Sequence, residues 1–139
     1  LLYLANEHKL YDITKTKIIS EIAKNIDLIY RWQGKIAVAR DNNKLILIDN
    51  DMVVAQLSLV DIPLFKIKGD NIYVYREVSE EVPLSGVYLS LFFEIYDLRQ
   101  FNLIKREELA ETIVSFDVDE KKQEIIGLKP DGTIKRIKY

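Results

Sequence analysis

Very few side chains in this sequence are of the kinds that make or break bonds. His8 is the only histidine, and there is no cysteine. A metal centre or a nucleophile–base pair needs several such groups converging on one point. His8 stands alone between Glu7 and Lys9, in an expected loop, and reads as a solvated residue. The carboxylates come next. Asp117 and Asp119, on an expected strand, would share a face, with Glu120 beside them. Two carboxylates on one face offer hard oxygens to a cation. Yet the segment runs straight into Lys121 and Lys122 and lacks the central glycine and distal glutamate of a calcium-binding loop. Asp49-Asn50-Asp51 fails the same test. Both read as strand ends entering solvated turns. No phosphate-binding glycine loop, dinucleotide fingerprint, nucleophile elbow or cysteine pair occurs. No catalytic residue, metal ligand or cofactor is assigned, and the chain reads as more consistent with binding than with catalysis.

Candidates for binding are easier to find. Trp32 follows Arg31 at the end of an expected strand, beside Gly34. Trp and Arg are over-represented at the centres of interfaces, and packing within the fold is an equally open reading. The second candidate is the segment from Glu77 to Gly86. It places Val78, Val82, Pro83 and Leu84 among Glu77, Glu80 and Glu81, and Val87, Tyr88 and Leu89 continue it. It reads as an inserted loop, and insertions on one face of a repeat array often mark the binding side. The candidate partner-binding residues are Trp32, Glu80, Glu81, Val82, Leu84 and Tyr88.

These residues are placed by a recurrent phrase. An apolar or aromatic residue, then Asp, then a turn and a second apolar run appears at Leu10-Tyr11-Asp12-Ile13, at Leu47-Ile48-Asp49 and at Ile95-Tyr96-Asp97-Leu98. The aspartates recur at intervals of roughly 40 residues, the second interval lengthened by the Glu77–Gly86 segment, and such a period made of short strands marks a repeat architecture. Asp12, Asp49 and Asp97 therefore read as strand-end residues that accept backbone N–H groups of the next turn. The strands fall into groups of three, four, four and three. Turns such as Gln33-Gly34, Gly69-Asp70 and Asp131-Gly132 are short and tolerate positive φ, so successive strands must be antiparallel neighbours. Leu45-Ile46-Leu47-Ile48 has no polar alternate, which requires cover on both faces of its sheet. Residues 15–30 and 102–111 also fit helical spacing. The register of the repeat favours strands in both.

The layout resembles WD-repeat and YVTN-type β-propellers, in Leu10-Tyr11-Asp12-Ile13, Ile95-Tyr96-Asp97-Leu98 and Lys17-Ile18-Ile19-Ser20-Glu21-Ile22. The Gly-His pair of the WD pattern is missing, Tyr or Ile replaces Trp before Asp, and Arg136 stands where a fourth Asp is expected. The resemblance implies an all-β fold of antiparallel four-stranded blades, with pieces at about 1–24, 25–59, 60–109 and 110–139. It implies the C-terminal part of a larger ring, with further blades before Leu1. The expected function is that of a non-catalytic interaction or assembly scaffold using rim loops. Two alternatives are a propeller-type hydrolase with a cation in its central channel, and an open half-propeller completed by another chain.

Composition narrows the partners. The chain has 139 residues, 48% apolar and 30% charged, with a net charge of −2. Its lysines and arginines are scattered among acids, with no basic stripe and no basic–aromatic interleaving, which argues against nucleic acid. No apolar run approaches the roughly 18 residues of a membrane span. The absence of cysteine fits a reducing compartment, hence the cytoplasm. A protein partner is expected, and further blades or oligomerisation are expected to cover the open faces.

Overall fold

A computed structural model of the chain describes the backbone of residues 2–4, 9–12, 17–20, 26–32, 35–41, 43–49 and 52–139, and the side chains of Tyr30, 43–48 and 52–139. All regular structure among these residues is β-strand, and every pairing is antiparallel. No helix there is long and apolar enough to cross a membrane. The chain divides into two compact units, Leu1–Val60 with Leu98–Asn102, and Asp61–Asp97 with Leu103–Tyr139.

The first unit holds two sheets. The strands β1 (Leu2–Leu4), β2 (Lys9–Asp12) and β3 (Lys17–Ser20) form one, in that order. The other runs β4 (Ile26–Trp32), β5 (Lys35–Asp41), β6 (Lys44–Asp49), β7 (Met52–Ser58). In β6, Leu45, Ile46, Leu47 and Ile48 are all buried. The strand without polar alternates is thus covered on both faces, as its composition requires.

The second unit also holds two sheets. The strands β8 (Leu64–Lys68), β9 (Asn71–Val82), β10 (Gly86–Asp97) and β11 (Leu103–Leu109) form a meander, and β12 (Ser115–Asp119), β13 (Glu124–Leu128) and β14 (Ile134–Lys138) form a second. The described sheets thus have three, four, four and three strands along the chain, as the turn spacing predicts. The recurrent aspartates close β2, β6 and β10, and each precedes the last strand of its sheet. Residues 17–20, 26–32 and 103–109, which also fit helical spacing, are strand.

Period-2 alternation explains how the second unit's sheets meet. Tyr75 lies opposite Phe93, and Tyr73 opposite Ile95, so these four side chains share a face of the larger sheet. Leu109 joins them opposite Leu91, and Leu64 opposite Tyr75. Phe116, Val118, Ile125 and Ile137 meet them from the smaller sheet in one continuous core. Phe93 is the pivot. Its ring is tilted against Tyr75 at 5.7 Å and meets Phe116 edge-on at 5.1 Å, both favoured aromatic geometries. The β11–β12 connection packs tightly on β13 at Gly127, where a Cβ would stand 2.8 Å from Ile113 Cδ1.

The turns carry the expected chemistry. Gly69 takes φ 56° in the two-residue turn between β8 and β9, a conformation glycine adopts without steric cost. Asp131 Oδ1 accepts from Thr133 N–H at 2.9 Å before β14. Gln33-Gly34 lies outside the described residues.

One expectation is corrected. Glu77 to Gly86 is not an inserted loop: β9 runs on to Val82 and β10 starts at Gly86, leaving Pro83-Leu84-Ser85 as the turn. Ser85 N–H donates to Val82 O at 3.0 Å, with Leu84 at φ 69° and Gly86 at φ 95°. The glutamates disguise the strand, yet Val78 and Val82 alternate with them opposite a strand rich in Val, Tyr and Leu, all good fits to a pleated surface.

Truncating the pivot tests this packing. Phe93→Ala is expected to destabilise the protein by about 3–5 kcal/mol through lost burial and a residual cavity, read as a shift in the urea-unfolding midpoint.

Candidate protein-interaction surface

Beyond the core, β9 and β10 outrun their neighbours. β8 pairs with β9 only as far as Tyr75, and β11 pairs with β10 only as far as Leu91. Glu77 N–H donates to Asp61 O at 2.8 Å, and residues 78–90 continue as a two-stranded ribbon, held in the register Val78↔Ser90, Ser79↔Leu89, Glu80↔Tyr88, Glu81↔Val87. Its two strands differ in character. The β9 strand carries Glu80 and Glu81, and no cation among the described residues pairs with either. The β10 strand carries Val87, Tyr88 and Leu89, whose relative exposures are 67%, 56% and 52%. Val82 and the fully exposed Leu84 add to them at the tip. Val87 and Leu89 share one face of the ribbon and Tyr88 and Val82 the other. Single exposed apolar residues are ordinary, whereas this many on one short element is the kind of exposure that marks a contact surface.

The ribbon's root is clamped by charge. Glu94 on β10 is fully buried, on the face of the sheet opposite Phe93. Arg76 Nε on β9 donates to its Oε2 at 3.0 Å, and Tyr96 OH donates to the same oxygen at 2.7 Å. Arg106 on β11 donates to Oε1 from Nε at 2.8 Å and Nη2 at 2.5 Å, and its guanidinium lies 4.9 Å from the centre of the Phe92 ring. One carboxylate thus ties three adjacent strands where the ribbon begins. Burial alone would push the Glu94 carboxyl up. The hydrogen bonds from Tyr96, Arg106 and Arg76 outweigh it and hold the group below the ordinary glutamate value. On the other face, the Tyr75 hydroxyl donates to Glu77 Oε1 at 2.7 Å, and burial, then this bond, pushes it up to about 12.

The acidic cluster lies elsewhere in the same unit. Lys68, Asp117, Val118, Asp119, Glu120, Lys121 and Ile126 line an open cleft of about 380 Å³. Asp117 and Asp119 do share a face of β12, but lysines occupy the acids' surroundings. Lys66 Nζ donates to Asp117 Oδ1 at 3.1 Å, Lys68 Nζ donates to Val118 O, and Lys122 N–H donates to Asp119 Oδ1 at 3.1 Å. The Val118 N–H and then Lys66 hold the Asp117 carboxyl below its ordinary value. Among the described residues, no group of three or more acids or histidines is placed to share a metal ion.

Of the residues singled out from sequence, Glu80, Glu81, Val82, Leu84 and Tyr88 come together on the ribbon. Trp32 ends β4, opposite Lys35, and its side chain lies outside the described residues, as does His8. The Glu94 clamp was not foreseen. Its only sequence signal is a lone acid inside the apolar run Leu91-Phe92-Phe93-Glu94-Ile95-Tyr96. Comparison with protein-family models, with curated proteins and with solved structures returned no match to this chain.

Replacing the clamping carboxylate leaves two guanidiniums facing a neutral group. Glu94→Gln is expected to cost about 3 kcal/mol at neutral pH. The carboxyl's folded pKa lies below its unfolded value of about 4.3, so its contribution is complete above that pH and is lost as pH falls toward the folded value. The variant should therefore be less stable at neutral pH and show a shallower loss on acidification, measured by urea unfolding at a series of pH values.

Proposed function

We propose that the chain is a non-catalytic interaction module, a set of antiparallel sheets of the β-propeller type that docks a protein partner through the β9–β10 ribbon. The observation that carries this reading is the exposed apolar strand Val87-Tyr88-Leu89, with Val82 and Leu84, on a ribbon whose root is clamped by Glu94. A stiff, protruding element with an aromatic residue near its middle is a good anchor, because little side-chain freedom is lost on docking.

The propeller assignment is supported by the meander order of each sheet, by the three–four–four–three strand count and by the face-to-face core of the second unit. The scattered surface charge favours protein over nucleic acid. A cysteine-free chain is compatible with work in the cytoplasm.

The test is capture of partners from source cells with the whole chain and with a variant in which Asn-Gly replaces Ser79–Leu89. Loss of the captured proteins, with the thermal-unfolding midpoint retained, is the expected result. Equal capture by both chains sinks the siting.

A further inference from the structure

The two free edges of the ribbon are not equivalent. Among the described residues, the outer edge of β9 is open beyond Glu77, whose N–H donates to Asp61 O at 2.8 Å, and carries Glu80 and Glu81, while the outer edge of β10 is open before Leu91 and carries no charge from Gly86 to Ser90. Charged side chains are a common guard against strand addition, and an uncharged, apolar edge invites it. The β10 edge is also self-complementary. Set antiparallel to itself about Tyr88, the segment Gly86-Val87-Tyr88-Leu89-Ser90 brings Tyr88 against Tyr88 of the second copy, and Val87 against Leu89 of the second copy. A two-fold axis normal to the sheet keeps paired side chains on the same face, so aromatic meets aromatic and aliphatic meets aliphatic.

We infer that the ribbon's partner includes a second copy of this chain, added edge to edge along Gly86–Ser90 to make a four-stranded ribbon. The inference rests on the ribbon's being the docking surface.

The charges select this arrangement over its rival. In β10-to-β10 pairing, the two acidic strands lie at the outer margins, three strand spacings or about 14 Å apart, beyond the screening length of about 8 Å at physiological salt. Pairing through β9 about Glu80 or Glu81 would set that glutamate against its own copy as a direct cross-strand neighbour, which is destabilising. The same acids guard both margins of the four-stranded product. Addition therefore stops at two copies instead of growing into a fibre. The slot has a defined length, because β11 occupies the β10 edge from Leu91 onward.

The chain has no cysteine, so a single introduced thiol reports the geometry cleanly. Tyr88→Cys is expected to form a disulfide-linked dimer under mild oxidation at least about tenfold faster than Leu84→Cys or Glu80→Cys, because only position 88 meets itself at a cross-strand Cβ separation compatible with a disulfide. Light scattering of the unmodified chain should show a monomer–dimer equilibrium between micromolar and millimolar concentration. Val87→Glu and Leu89→Lys should each weaken it, and the two together should restore it, since the new carboxylate at 87 faces the new ammonium at 89 of the other copy. A monomer throughout that range overturns the inference, as does equal cross-linking at 84 or 80, or a double variant no stronger than the single ones. Such a failure leaves the capture experiment with the shortened ribbon to decide the broader reading by itself.

Discussion

The stretch of β9 from Ile72 to Tyr75 has no polar alternate, and covering both of its faces is the constraint from which the rest of the second unit follows. In β9, Ile72, Tyr73, Val74 and Tyr75 are consecutive and all fully buried. A sheet made of such strands is stable only between layers. On one side the cover is the smaller sheet, joined through Phe93 and Phe116. The tyrosines fit this layer because each has an outlet for its hydroxyl. Tyr75 donates to Glu77 and accepts from Ile113 N–H, and Tyr73 meets the Tyr139 hydroxyl at 2.8 Å. Without those partners, burying two phenols would carry a desolvation cost of the order of 1–3 kcal/mol each.

The opposite face solves a different problem. It contains Glu94, fully buried, among Ile72, Val74 and Tyr96. Taking a carboxylate out of water is repaid only when its oxygens are filled with strong donors. Here both are, by two guanidiniums and a phenol drawn from three strands. A one-residue slip of β9 or β11 against β10 would move Arg76 or Arg106 to the other face of the sheet, stranding the charge. The cluster therefore specifies register more than it adds stability, and it does so where β9 and β10 leave their neighbours and the hydrophobic specification runs out.

Much of the architecture was legible because it depends on local pattern. Strand groups, the Gly69-Asp70 turn and the buried continuity of Leu45 to Ile48 all follow from period, turn chemistry and composition over a few residues. Val87 to Asp97 was legible as strand, but the β9 half of the ribbon was not, since Glu77, Glu80 and Glu81 look like loop until their cross-strand partners are known. Those partners, Leu91, Tyr88 and Val87, lie across a turn and supply the β-propensity for both strands. The clamp was harder still. Arg76 and Arg106 stand 18 and 12 positions from Glu94, and only the register brings them to one face. The ribbon residues named for binding were found because the segment lengthens the repeat and sets apolar residues among acids, but their division into a guarded and an open edge needed the pairing.

That division also bears on how the ribbon persists at all. An isolated two-stranded hairpin is marginal in water, and this one exposes Val87, Tyr88 and Leu89. It is not isolated, however. Its strands are extensions of two that are locked, on one face by Phe93 and Tyr75 in the core and on the other by Glu94 between Arg76 and Arg106. The ribbon's entropy of ordering is therefore reduced at its root, and only about five residue pairs must be held by their own hydrogen bonds and cross-strand contacts. A core that needs two covered faces thus produces, at its far end, a stiff element with one face-independent feature left over: a free apolar edge. The glutamates on the neighbouring strand keep that edge the single adhesive margin of the ribbon, which is the condition under which an exposed strand serves recognition without promoting open-ended assembly.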